Sequence, residues 1–339
     1  MERQGDSVLS SLERDLSLQI SLEDLIGESA AFHSVLDEIR IFSASDAPVL
    51  ITGETGTGKD MCARAIHYSG HRSAKPFVAV NCAGIPEDLF ENQFFGHERG
   101  AYTDAREVSG GLLSEAEGGT LLLDDIESLS PKNQAKLLRF IQHGVYLPLG
   151  ASKDLRANVR IVAATNEDLL GRIRGGTFRQ DLYFRIAVLT LSIPPLRERV
   201  DDIPLLASAF VRTLSRQYGK PLLRLHDHVI ERLKRYEWPG NIRELENTLH
   251  RAFVHATGDA VTDVDIPPAV HDPAVPTRFD IYASTFKQAK KEVVEEFEKH
   301  YIELLLENCG GNVSEASRRA GKNRRAFWEL MRKHRFTQK

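Results

Sequence analysis

The stretch "PVLITGETGTGKDMCARAIHYS", residues 48–69, decides the fold. A short β-rich run ends at Thr52, a glycine-rich loop follows, and a segment of helical character takes over. That strand–loop–helix context makes residues 53–60, "GETGTGKD", a credible phosphate-binding loop. Gly53, Gly56 and Gly58 let backbone N–H groups curl around phosphate, helped by the helix N-terminus. Lys59 reaches for the β- and γ-phosphates, and Glu54, Thr55, Thr57 and Asp60 complete the loop. A glycine-rich turn without a ligand would leave the Gly-Lys pair and both flanks unexplained. Asp60 stands where such loops usually carry Ser or Thr after the lysine, so a hydroxyl ligand for Mg²⁺ is not available there.

Further chemistry lies downstream. "GGTLLLDD" (118–125) reads as a buried strand that presents two acids at its end. Asp124 is placed to hold Mg²⁺ through water and Asp125 to polarise the attacking water. "AATN" (163–166) ends another apolar strand, where Asn166, with Thr165, is a candidate for orienting that water. "FRQDLYFRI" (178–186) carries Arg179 and Arg185, and "WPGNIREL" (238–245) places Arg243 at a helix start. Phosphoryl transfer needs positive charge on the γ-phosphate, and an arginine from a neighbouring subunit contributes roughly 10³–10⁵ in rate. A single arginine on a surface is more often half of a salt bridge; several beside a phosphate loop change that balance.

The β-rich runs at 77–80, 120–124, 159–165 and 187–193 alternate with helical segments, which predicts a parallel sheet with crossover helices. Residues 1–24 form a short lead-in, 25–195 an α/β unit and 196–257 an all-helical unit. A proline-rich stretch, 258–285, reads as a linker. Residues 286–339 form a small all-α unit, with Phe286, Val293, Phe297, Tyr301 and Leu304 on one helical face. The formal net charge of −4 conceals an asymmetry. Between positions 313 and 339 nine Lys/Arg face two Glu, a local excess of seven, so the rest of the chain carries −11. A basic tail on an acidic body points to nucleic acid, with a solvated helix face as the plainer alternative. Hydrophobic residues make up 42% and charged residues 27%, the proportions of a globular chain. No apolar run is long enough to span a bilayer, and the N-terminus is too polar for a signal peptide. Cys62, Cys82 and Cys309 lack metal-ligand spacing and read as buried, reduced thiols of a cytoplasmic protein.

Together, the motifs from Leu25 to Thr257 closely resemble the AAA+ domain of bacterial enhancer-binding proteins, the activators of sigma-54 RNA polymerase. The resemblance implies an AAA+ P-loop sheet with a helical lid. "GETGTGKD" is similar to the family's Walker A, which normally ends in an acid, as Asp60 does here. "LIGES" (25–29) resembles the opening segment, where Ile26 and Gly27 would pack on adenine. Asn81 matches the asparagine that couples the catalytic acid to the polymerase-contacting loop. That loop is "GAYTDA", comprising Gly100, Ala101, Tyr102, Thr103, Asp104 and Ala105. Asn166 corresponds to sensor I, Arg179 and Arg185 to the trans-acting arginines, and Arg243 to sensor II. The tail resembles a Fis-type helix-turn-helix. Ala316 would pack inside its first helix, Gly321 at its turn, and a recognition helix would start near Asn323. Trp328 and Phe327 read as core, while Ser314, Arg318, Asn323, Arg324, Arg325 and Arg332 are the candidate DNA contacts.

The resemblance implies binding to paired upstream DNA sites and assembly into a ring, a hexamer, with ATP and Mg²⁺ at subunit interfaces. Hydrolysis would then drive the loop against sigma-54 holoenzyme. Only a short segment precedes Leu25, so regulation is expected from outside, through a separate regulatory protein, a change in expression or an effector on this segment, and a related chain is a candidate ring member. Two positions depart from the family. Asp125 replaces the usual glutamate, shorter by one carbon–carbon bond, about 1.5 Å, which predicts slower hydrolysis than an Asp125→Glu variant would show. Asp104 replaces the second glycine of the family's GAFTGA loop. One reading keeps the sigma-54 contact. The other is a DNA-binding regulator that has lost it and uses ATP mainly for assembly. An unfoldase or helicase loader is the third class, and a Fis-like tail has no evident use there.

Overall fold

The computed structural model describes residues 20–101, 108–256, 258, 260–266, 295, 298, 301–302, 306, 309 and 312–334. Two compact units divide at Ala269 and Val270.

The first unit is built on five parallel strands: β1 (Val49–Thr52), β2 (Phe77–Asn81), β3 (Thr120–Asp124), β4 (Arg160–Thr165) and β5 (Leu189–Ser192). Their order is β2-β3-β4-β1-β5. β3 and β4 are buried over nearly their whole length, which is why their sequences are continuously apolar rather than alternating. One face of the sheet is covered by α1 (Ala30–Ser43) and α2 (Lys59–Tyr68), which bring Phe32, Val35, Ile39, Cys62 and Ile66 against Val49, Ile51 and Leu191. The other is covered by α3 (Glu87–Phe95) and by the helices Pro131–His143 and Gln180–Ile186, with Phe90, Phe94 and Leu137 in the core. Pairing in register puts Asn81 beside Asp124 at the carboxyl ends of β2 and β3. Thr52 and Thr165 are likewise neighbours on β1 and β4. All functional strand ends therefore lie along one edge of the sheet.

A second core begins at Leu196 and gathers Ile203, Val211, Leu233, Trp238, Leu245 and Phe253. It is formed by α-helices Ile203–Gln217, Asp227–Arg235 and Asn241–His255. Two features differ from the sequence expectation. The region read as helices only contains a short strand, Arg224–Leu225, paired in parallel with Ala260–Val261. The expected linker therefore does not begin at 258, because Val261 and Val264, each 1% exposed, pack into this helical core. The proline-rich composition hides a two-residue pairing.

In the second unit the helices Val313–Arg319 and Arg324–Lys333 pack through Val313, Ala316, Phe327 and Met331, with Ile302 against them. Asn312 and Asn323 cap the two helices with their side-chain oxygens. Gly321 sits at φ +62 in the turn, a conformation glycine adopts without steric cost. Phe327 is core as expected, but Trp328 is 52% exposed and is not. Tyr301 also turns outward while Ile302 is buried. Phe286, Val293, Phe297 and Leu304 lie outside the described residues. Among the described residues no helix is long and apolar enough to cross a membrane.

Candidate active site

The glycine loop wraps the start of α2. Gly56 and Gly58 have φ +79 and +99, values that disfavour any side chain. Thr57 is pinned by its hydroxyl, which donates to the Glu54 carbonyl at 2.8 Å. The Lys59 ammonium donates to the carbonyls of Gly53 (2.8 Å) and Glu54 (3.1 Å). Burial depresses its pKa, and the carboxylates of Asp124, Asp125 and Glu127 act in the opposite direction. The N–H groups of Gly56, Gly58, Lys59 and Asp60 have no backbone acceptor among the described residues. Several convergent donors at a helix N-terminus, backed by a buried ammonium, form a cradle for polyphosphate. The Asp60 carboxylate is bound by Arg64 Nε at 3.0 Å, one helical turn on.

Across the loop lie the acids of β3. Burial raises the pKa of Asp124, and the neighbouring Asp125 charge adds to this. Asp125 adopts the left-handed conformation, φ 51 and ψ 48. Its two carboxylate oxygens are held by two amides. Asn81 Nδ2 donates to Oδ2 at 2.8 Å and Asn166 Nδ2 donates to Oδ1 at 3.3 Å. Asn81 Oδ1 in turn accepts from Gly84 N–H at 3.1 Å, tying the acid to the turn that leads into α3. The structure thus brings Lys59, Asp124, Asp125, Asn81 and Asn166 into one constellation.

The chain after α3 forms the stapled base of the loop predicted to touch a partner. His97 and Ser109 exchange backbone hydrogen bonds of 2.9 and 3.0 Å, and Glu98 N–H donates to Leu149 at 2.9 Å. Gly96, at φ +76, leaves no room for a Cβ, which would lie 2.0 Å from the Ser109 carbonyl. Gly100 stands at φ +83 with Ala101 beside Gly150. Tyr102, Thr103, Asp104 and Ala105 lie outside the described residues.

None of the three arginines hydrogen-bonds to the five residues of that constellation, although the Arg243 charge acts on Lys59. Arg179 forms a bidentate pair with Asp181 at 3.0 and 2.7 Å. Arg185 is exposed and makes no hydrogen bond or ion pair among the described residues. Arg243 is exposed, and its N–H lies 3.4 Å from the Gly56 carbonyl. Ile26 is 39% exposed. A Cβ on Gly27 would lie 2.3 Å from the Phe32 ring. The segment after it is anchored by the buried Asp202, whose carboxylate accepts from Glu28 N–H, Ser29 N–H and Ser29 Oγ at 2.6–2.8 Å. The sequence reading missed Asp202, and also Arg197 and Asn241, both of which bind Glu54. The motif strings "PLRERVDDI" and "WPGN" contain these residues, but their partners lie far away in sequence.

In the helix-turn-helix, Asn323 Oδ1 is committed to capping, accepting from Ala326 N–H at 2.8 Å. Arg318 Nε reaches the Ser314 carbonyl at 3.4 Å. Arg325 is exposed beside Glu329 at 3.5 Å.

Comparison with known proteins matches residues 25–192 to the Sigma-54 interaction domain, 197–280 to the AAA+ ATPase lid domain and 293–334 to the bacterial regulatory protein, Fis family. The transcriptional regulatory protein ZraR of Escherichia coli is 40% identical over 303 residues, 89% of this chain and 67% of its own. The chain belongs to this sigma-54 interaction family of transcriptional regulators. GlrR of Escherichia coli, another such regulator, is 39% identical over 315 residues, 92% of this chain and 68% of its own. Crystalline NtrX from Brucella abortus in complex with ADP has a TM-score of 0.67 at 30% identity, covering 96% of this chain and 73% of that one. As a member of the sigma-54 interaction family the protein is a P-loop AAA+ ATPase with a helical lid and a Fis-type DNA-binding unit.

Proposed function

We propose that this ATPase binds upstream DNA, assembles into a ring, and uses hydrolysis to remodel sigma-54 RNA polymerase for promoter opening. The observation that carries the proposal is the clamping of Asp125 between Asn81 and Asn166 beyond the phosphate cradle. It supports a role for Asp125 as the group that polarises water, with Asn166 orienting. Asn81 is the first link of a chain that runs through Gly84 and α3 to the stapled base of "GAYTDA". A change in what Asp125 binds would release Asn81 and reach that loop through contiguous backbone.

The cradle fits a nucleoside triphosphate, as does the ADP and ATP binding of NtrX. Ile26 and Gly27 would border adenine. Mg²⁺ would be held by Asp124 through water and would supply positive charge to the β- and γ-phosphate oxygens. Arg185, exposed and unpaired among the described residues, and Arg179 suit delivery from a neighbouring subunit, which a hexameric ring provides. Arg324, Arg325, Arg332, Arg318 and Ser314 would meet DNA, with affinity falling steeply in salt. A cytoplasmic location goes with this role.

Lys59→Ala tests the reading. It should retain DNA binding yet lose ATPase and promoter opening together. A Lys59→Ala protein that opens promoters like wild type would refute it.

A further inference from the structure

Glu54 lies inside the phosphate loop, yet its carboxylate is spent elsewhere. Oε1 accepts from Arg197 Nη2 at 2.7 Å, and Oε2 accepts from Arg197 Nη1 at 2.9 Å and from Asn241 Nδ2 at 3.1 Å. The Arg197 guanidinium holds the Glu54 carboxyl below its usual range, so it stays charged. A carboxylate bound in this way faces the lid and is neutralised there, which spares the polyphosphate a repulsive neighbour.

Asn241 is saturated as well. Its Oδ1 accepts from Leu196 N–H at 2.8 Å, and its Nδ2 also donates to the Thr55 carbonyl at 3.1 Å. It is fully buried and left-handed, φ 52, and Trp238 at φ 52 shares that conformation three residues earlier. Two non-glycine residues in this region within one turn mark a backbone held by its surroundings. The helix that follows, Asn241–His255, begins after Gly240, which offers no side chain to cap it. Its first turn is capped by the phosphate loop itself, because Ile242 N–H donates to the Gly56 carbonyl at 2.9 Å and Arg243 N–H lies 3.4 Å from it. The approach is close enough that a Cβ on Gly56 would lie 2.4 Å from the Gly240 carbonyl.

We infer that Glu54, Arg197 and Asn241 form a latch that locks the lid helix to the phosphate loop and so sets the direction of Arg243. Glu54 is a positioning residue, not a phosphate or metal contact. The latch couples the two halves of the nucleotide site, and this inference rests on reading residues 53–60 as that site. Any rearrangement of the loop around phosphate moves the Gly56 carbonyl, and with it the start of the helix that carries Arg243.

A double-mutant cycle on the full-length protein decides between the two roles. Glu54→Gln keeps an oxygen for Asn241 and removes the charge for Arg197; Arg197→Gln removes the fork. Each single variant should raise KM for ATP about fivefold, the loss expected for one bidentate surface pair. The double variant should be no worse than either single, and Glu54→Gln should add nothing in an Arg243→Ala background. An undiminished Glu54→Gln effect in the Arg197→Gln protein would overturn the latch, because Glu54 would then act on nucleotide directly. A second readout needs no nucleotide. Amide exchange at Ile242 should quicken about fivefold in each single variant, with exchange in β3 unchanged. Wild-type exchange at Ile242 in both variants would also overturn the latch. If wild type bound no nucleotide, the active-site reading would fail while the exchange measurement still decided the latch.

Discussion

Replacing Asp125 with asparagine separates binding from chemistry, and the structure sets the size of each effect. The substitution removes the negative charge that polarises water, a role worth about 10²–10⁴ in rate. The backbone tolerates it, since asparagine adopts φ 51 as readily as aspartate. One hydrogen bond is lost. The new amide can turn its oxygen to Asn81 Nδ2, at 2.8 Å in wild type, but must then set its NH₂ against Asn166 Nδ2, at 3.3 Å. That costs about 1 kcal/mol, or roughly 2–4 °C in Tm for a unit of this size. Lys59 and the phosphate loop are untouched. Steady-state ATPase, ADP titration and thermal unfolding should therefore show kcat down at least about 100-fold, nucleotide affinity retained, and a small drop in Tm. A fall in kcat below about tenfold, or a parallel loss of affinity, would refute the assignment of Asp125. Asp125→Glu is the companion. The longer side chain should hydrolyse faster than wild type, at a stability cost of about 1–2 kcal/mol because glutamate enters the left-handed region less easily; a slower Glu variant sinks the length argument.

Two predictions concern buried groups. His67 is 1% exposed; its Nε2–H donates to the Lys75 carbonyl at 3.1 Å, its Nδ1 accepts from the Thr120 hydroxyl at 2.9 Å, and burial depresses its pKa from 6.5 to about 4. The unfolded chain takes up this proton first, so stability is full above pH 6.5 and lost as pH falls toward 4, by about 3 kcal/mol in total. Urea unfolding across that window should show a shallower pH slope for His67→Gln than for wild type; equal slopes would contradict the assignment. Cys62 and Cys82 are buried as expected while Cys309 is only partly so, and burial pushes the first two thiols up to about 12. Iodoacetamide at pH 8 should label neither without denaturant, and stoichiometric labelling of the folded protein would show that these thiols are not sealed.

The phosphate loop, the two acids at the end of β3 and the alternation of parallel strands with helices were legible because each shows in a contiguous string. The latch was not. Glu54 meets Arg197 and Asn241 across 143 and 187 positions, and nothing in the local string reveals such a pairing. Asp202 was hidden for the same reason: it holds Ser29 from 173 positions away. Trp328 and Tyr301 show a different limit. An apolar stripe covers about a 100° sector of a helix, and a large aromatic beside it is readily assigned to the core. The buried members of this core are instead Ile302, Val313, Ala316, Phe327 and Met331. The strand Ala260–Val261 was concealed by its proline-rich surroundings, because only two residues pair.

The most direct measurement of the central claim is promoter opening by purified sigma-54 holoenzyme, scored with and without hydrolysable ATP and with Asp104→Gly in parallel. The account predicts ATP-dependent open complexes with the wild-type protein. A preparation that hydrolyses ATP and binds its DNA site but opens no promoter with this holoenzyme would contradict it, and would assign the ATPase to assembly of a DNA-bound regulator instead.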